Sequence, residues 1–214
     1  MRKHLVLLLA GILLTAIASF ANTSAVGTNV VSPTLAVSAN VEDAVELTLS
    51  TGGTAGISHC TITPSGSNYS MSFGTVDALA VNTGCGNVFA PTTPGSTPAV
   101  YWTDYQLTPA WSGLTATSAA SITAYAAAPE TGVNIQIPST ADQSTTTGLN
   151  VSSWTNMGTT AGTASGVVSG SKLVGGDGTA LTRFLALSVA PTATAAASPG
   201  TPVSTTVTFT MTIQ

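Results

Sequence analysis

The stretch Ser204-Thr-Thr-Val-Thr-Phe-Thr-Met-Thr-Ile-Gln214 alternates without interruption. Val207, Phe209, Met211 and Ile213 fall on one side of an extended chain, and Thr206, Thr208, Thr210 and Thr212 on the other. A strand that is apolar on one face and hydroxylated on the other belongs to a sheet with one face on a core and one in water. That is the antiparallel sandwich arrangement, and no stable helix is expected from this pattern.

Composition extends the same reading to the whole chain. Only 6% of the 214 residues are charged, against about a quarter in an ordinary domain, so something else must face the water. The 38 Thr and 24 Ser fill that role, and their β-branched share favours strands over helices. A hydrophobic content of 43% weakens a disordered reading. Neither a fixed-period repeat nor a composition break divides the chain, so a single domain is expected over residues 26–214.

Residues 1–25 read as a secretory signal. Arg2-Lys3-His4 is the basic start, and Leu5–Ala18 is an apolar run of fourteen residues. Ser19-Phe20-Ala21 and Thr23-Ser24-Ala25 then offer two cleavage points, which place the mature start at Asn22 or Val26. The run is short for a spanning helix, and no second apolar segment approaches about eighteen residues, so no integral membrane segment is expected. The predicted location is secreted: periplasm, cell surface or extracellular space. Beyond the signal only Lys172 and Arg183 stand against eight acids, a net charge of −6. Two cations cannot build a patch for nucleic acid or anionic lipid.

Cys60 and Cys85 both lie in the mature part of an exported chain, where a disulfide is the default. The alternative, a metal pair with the adjacent His59, lacks further ligands at suitable spacing.

Along the chain, Thr34–Val41 places Leu35, Val37, Ala39 and Val41 in alternation, and the pattern resumes after Glu42-Asp43 at Val45, Leu47 and Leu49. This is either one bent edge strand or two strands joined by a charged kink. Further strands are predicted at Ile57–Thr63, containing Cys60, and at Tyr69–Val76, Val100–Leu107, Ala120–Ala127, Val133–Ile137 and Leu181–Val189. Gly86–Pro98 reads as loop, and Pro109-Ala-Trp-Ser-Gly113 as the close of the central strand Val100–Leu107. Thr140–Gly178 is the least regular part, read as one strand near Leu149–Trp154 plus a long decorated loop ending in a turn at Gly175–Gly178. Arg183 interrupts the apolar side of its strand and is read as marking an edge.

The inventory for chemistry is thin. Acid–base and nucleophilic mechanisms need a base beside a nucleophile, or paired carboxylates, and the mature chain has one histidine, His59. Its place beside Cys60 favours a structural role, so no catalytic residue, metal or cofactor is expected and the chain is read as non-enzymatic. Glu42, Asp43 and Glu46 read as a solvated edge, and Gly175-Gly-Asp-Gly178 lacks the repeated acids of a calcium loop. Trp102, Trp111 and Trp154, with Tyr101, Tyr105 and Tyr125, are candidates for ligand stacking in a carbohydrate-binding module. Burial between sheets is the expected outcome for them. The threonine rows lack the strict repeat of an ice-binding face.

Several of these features occur together. Cys60 after an early strand, Ser72-Phe-Gly-Thr-Val76, Cys85 after a Thr-Gly turn, Tyr105-Gln-Leu107 before Pro109 and Gly113, and the terminal Val207–Ile213 strand resemble spore coat protein U and pilin-like secreted domains. The resemblance spans roughly Thr34–Gly113 and Val203–Gln214; the Gly86–Pro98 and Thr140–Gly178 segments depart from the family's compact pattern. It implies an all-β, antiparallel, immunoglobulin-like sandwich without catalytic residues. It also implies a subunit of an extracellular fibre, pilus-like filament or surface coat, a homo-polymer assembled by strand donation and helped outward by an export chaperone. Donor-strand addition uses an alternating apolar segment, and two are available: Leu35, Val37 and Val41 near the start, and Val207, Phe209, Met211 and Ile213 at the end.

Overall fold

The structure, a computed structural model, describes residues 38–39, 44–112, 119–170, 178–193 and 203–213. The chain divides into Met1–Asn40 and Val41–Gln214, and the account below concerns the second unit. Leu35, Val37 and Val41 lie outside the described residues, as do most of the expected Gly175–Gly178 turn and its Asp177.

The described residues form eleven strands, all paired antiparallel. They are β1 (Ala44–Thr51), β2 (Ile62–Ser65), β3 (Asn68–Met71), β4 (Asn87–Phe89), β5 (Ala99–Ser112), β6 (Ala120–Ala126), β7 (Val133–Pro138), β8 (Trp154–Asn156), β9 (Ser165–Val168), β10 (Leu181–Val189) and β11 (Val207–Ile213). A six-stranded sheet runs β1-β5-β10-β7-β8, with β4 also on β5; a three-stranded sheet runs β11-β6-β9; β2 and β3 form a hairpin. The fold class is all-β, as the period-2 pattern predicts.

The two larger sheets share a core. Tyr105 and Leu107 of β5, Leu185 of β10 and Ile137 of β7 meet Ala120, Ile122, Ala124 and Ala126 of β6 and Val167 and Val168 of β9. The four alternate positions on β6 are buried while Ser121, Thr123 and Tyr125 face outward, as alternation requires.

The large sheet is covered on its other face too. Val100, Trp102, Phe184 and Ala186 pack there with Trp154, under Ile57, Phe89 and Leu149. A strand buried on both faces must carry apolar side chains at consecutive positions, which is why Ala99-Val-Tyr-Trp102 does not alternate.

The structure corrects several boundaries. The central strand continues through Pro109 to Ser112, where a closing turn is expected from sequence. β10 pairs with β5 only as far as Leu107, so among the described residues β1 is the one strand laddered to β5 beyond that point, and a proline is tolerated where one side needs no ladder. Cys60 precedes β2 rather than lying within it, β3 stops at Met71, and the expected loop Gly86–Pro98 contains β4. Among its described residues, Thr140–Gly178 holds two strands, β8 and β9, with 3-10 turns at Val151–Ser153 and Ala161–Thr163. Arg183 does not mark a solvated edge: it is buried on β10, an interior strand of the sheet, at a point where β5 is its ladder partner and the β7 ladder, confined to Ala186–Val189, has ended.

Candidate functional site

The register on β5 leaves a gap. β1 ends opposite Tyr105 and β4 begins opposite Trp102, so Thr103 and Asp104 have no ladder partner from either strand. The segment that follows β1 crosses the sheet edge there. Cys60 donates its N–H to Thr103 Oγ1 at 2.9 Å, and on the opposite face Asp104 Oδ2 accepts from Thr54 N–H at 2.9 Å. His59 Nδ1 lies 2.5 Å from Asp104 Oδ1, and because a carboxylate only accepts, Nδ1 carries the hydrogen. Asp104 is 0% exposed. Burial acts to raise its carboxyl, yet the Thr54 and His59 hydrogen bonds outweigh it and hold the group below the usual carboxylate range. A Cβ on Gly52 would overlap that carboxyl group, so the crossing requires glycine there.

Next to this crossing lies the disulfide. Cys60 and Cys85 are bonded, with Cα atoms 5.2 Å apart. Cys60 packs with Phe73, Ala99, Tyr101 and Val189 in a second buried cluster. Ser58 and Asn87 tie the two sides together, Ser58 N–H to Asn87 Oδ1 at 3.3 Å and Asn87 Nδ2 to Ser58 O at 3.0 Å.

A tight loop, Asp77–Asn82, stands on the same cluster. Asp77 Oδ1 accepts from Leu79 N–H at 2.8 Å and Val81 N–H at 3.2 Å, and Oδ2 from Asn82 N–H at 2.6 Å. Slight burial tends to raise the Asp77 carboxyl, but the N–H groups of Asn82, Val81 and Leu79 together hold it below its ordinary value. Underneath, Tyr101 Oη is 2.7 Å from Asp77 O and 2.8 Å from Asn82 O. The loop thus presents Leu79, 55% exposed, and Val81, 78% exposed, on a fixed backbone.

Arg183 latches the irregular 140–178 segment to the sheets. Its Nε donates to Val167 O at 2.9 Å, Nη1 to Thr182 O at 2.7 Å, and Nη2 to Asp142 Oδ1 at 3.0 Å. Asp142 in turn accepts from Ser169 N–H at 3.0 Å and Ser169 Oγ at 2.5 Å. Burial lowers the Arg183 guanidinium against the opposing pull of Asp142, and burial pushes the nearby Tyr105 hydroxyl up.

The residues expected to serve assembly or ligand stacking are distributed as follows. Val207, Phe209, Met211 and Ile213 lie on β11, half-buried, and pack against the shared core; the Phe209 ring is 5.8 Å from that of Tyr105. Leu47, Leu49 and Trp111, from β1 and the far end of β5, are also half-buried against it. Trp102 and Trp154 are 7% and 8% exposed, with ring centroids 6.2 Å apart, and Phe89 stacks on Trp102 at 5.6 Å. Trp111 is separate from that group. Among the described residues, no group of three or more metal-ligating side chains occurs and no helix is long and apolar enough to cross a membrane. Among them, His59 hydrogen-bonds Asp104 alone.

Sequence reasoning overlooked Asp104, Asp77 and the Asp142–Arg183 pair as organising residues. A signal existed for the first: an acid set among Tyr101, Trp102 and Tyr105 in a run reading as a central strand is a buried acid by position. No protein-family model, curated protein or solved structure matches the chain.

Proposed function

We propose that the protein is a non-catalytic structural subunit of an extracellular fibre, pilus-like filament or surface coat, built on an immunoglobulin-like sandwich and assembling by strand donation. The observation that carries this reading is an unpaired edge strand on each of the two larger sheets. β1 and β11 are terminal strands of their sheets, and among the described residues no strand pairs with their outer edges. Both strands carry half-covered apolar side chains that pack against the shared core, Leu47 and Leu49 on β1 and Val207, Phe209, Met211 and Ile213 on β11, alongside Trp111 of β5 and Ile62 and Met71 of the β2–β3 hairpin. An added strand with alternating apolar residues would extend that apolar cover and satisfy the exposed backbone groups of the edge it joins. The segment carrying Leu35, Val37 and Val41 has the required alternation.

A head-to-tail contact of this kind propagates as a filament when its rotation does not close a ring. The low charge offers little repulsion between copies. The alternative, a secreted carbohydrate-binding or adhesion module, draws less support, because a stacking platform needs two or three tryptophans exposed and coplanar.

Deletion tests the reading. Removing residues 22–41 should leave a folded, monomeric protein by light scattering, while the mature chain forms higher assemblies. Removing residues 205–214 should unfold the chain, since β11 supplies most of the pairing of β6, along its whole length, while β9 pairs with it only at Ile122–Ala124. A mature chain that stays monomeric at high concentration, with no fibre or coat on producing cells by electron microscopy, would sink the proposal.

A further inference from the structure

The two halves of the disulfide are unequally placed. Cys60 is 0% exposed, enclosed by the Phe73, Ala99, Tyr101 and Val189 cluster. Cys85 is only partly buried and forms one wall of an open surface groove, with Ser72, Thr75, Asn82, Thr83 and Gly84. Its neighbours in the chain are Gly84 and Gly86, both at positive φ, 59° and 75°. A Cβ at Gly84 would overlap Phe73 O, and one at Gly86 would lie 2.6 Å from Trp102 O. Both positions therefore require glycine, and the turn that carries Cys85 along the groove wall is fixed by close backbone packing on either side of it.

We propose that Cys85 Sγ is a thiol-exchange site, at which the thiolate of a partner thiol or dithiol oxidoreductase enters along this groove and forms a mixed disulfide with Cys85 alone. The incoming thiolate attacks Cys85 Sγ, the Cys60–Cys85 bond breaks, and Cys60 leaves as a thiolate that takes a proton from water. In the reverse direction the Cys60 thiolate attacks Cys85 Sγ and expels the partner thiolate, which restores the native bond. Complete reduction requires a second partner thiolate, which attacks the partner sulfur of the mixed disulfide, leaves Cys85 as a thiol and carries the disulfide away. Ser72 O, 2.9 Å from Cys85 Sγ, is positioned to accept from that thiol. Attack at the other sulfur is blocked because no thiolate reaches Cys60 without opening the cluster around it. Assembly into a fibre plays no part in this argument.

The test is regiochemical and uses the native, oxidised chain. The folded protein is incubated with reduced glutathione, quenched with acid at intervals, and the adducts are mapped by mass spectrometry. The expected result is glutathione on Cys85 in excess over Cys60 by at least about tenfold, with the preference abolished in denaturant. Equal labelling, labelling at Cys60, or no adduct before unfolding would overturn the proposal. Single variants supply a second readout. In Cys60→Ala the remaining thiol should react with glutathione disulfide in the native state, and in Cys85→Ala it should react only after denaturation; comparable native reactivity of the two would also overturn it.

Discussion

Asp104 is the single acid on the central strand, and its neighbourhood is built for the ionised form. Replacing it with Ala leaves the Thr54 N–H and the His59 ring without their acceptor at a partly buried place and should destabilise by about 1–3 kcal/mol, read from denaturant unfolding. Gly52→Ala should have a comparable effect, because its Cβ meets the same carboxyl group. The pH dependence has a definite sign. Asp104 and Asp77 both titrate lower in the folded chain than in the unfolded one, so their contribution is complete above the unfolded value, about 3.9, and is lost as pH falls through the folded values. Thermal unfolding should therefore be insensitive to these groups near neutrality and fall steeply below about pH 4. Asp77→Asn should shallow that slope, and an unchanged slope would count against the loop's carboxylate cap.

Among the elements, β10 puts the Arg183 latch to the test. Arg183→Ala removes one partner of a buried pair and should cost about 3–5 kcal/mol, whereas Arg183→Met combined with Asp142→Asn should lose much less. Equal losses would mean that packing of the stem, rather than the ion pair, holds the 140–178 segment. The strands with clean alternation, β1, β6 and β11, were legible in the sequence because one face of each meets the core and the other meets water. β5 was legible as a strand but not in its length, because Pro109 normally ends a central strand and the sequence does not reveal that the β10 ladder ends at the Leu181–Leu107 pair. β4, β8 and β9 are three or four residues long, too short to express a period against a background of Gly, Ser and Thr. Arg183 misled because a charge in an apolar row usually marks a solvated edge, while two of its three acceptors, Val167 and Asp142, are distant in sequence and only Thr182 is adjacent. The disulfide was readable from compartment alone; the Asp104 crossing depends on a gap between two strands, which no local pattern records.

At the scale of the whole molecule, the disulfide and the unpaired edge strands have separate roles. The bond closes a ring with a sequence separation of 25 residues, and reducing it should lower stability by about 3–4 kcal/mol, measured as a shift in the denaturant midpoint. The β11-β6-β9 sheet lies away from the cysteines in its pairing, so reduction should release the 72–86 loops before it loosens that sheet. The proposal at this scale is that a neighbouring chain completes the unpaired edge of β1 or β11. It is tested most directly by residue-resolved amide hydrogen exchange on the mature protein at low and high concentration. The account predicts that amides in Ala44–Thr51 or Val207–Ile213 exchange fast in the dilute protein and become protected as concentration rises, while those in the β5 and β10 interior stay slow throughout. Exchange at both edges that does not change with concentration would contradict it.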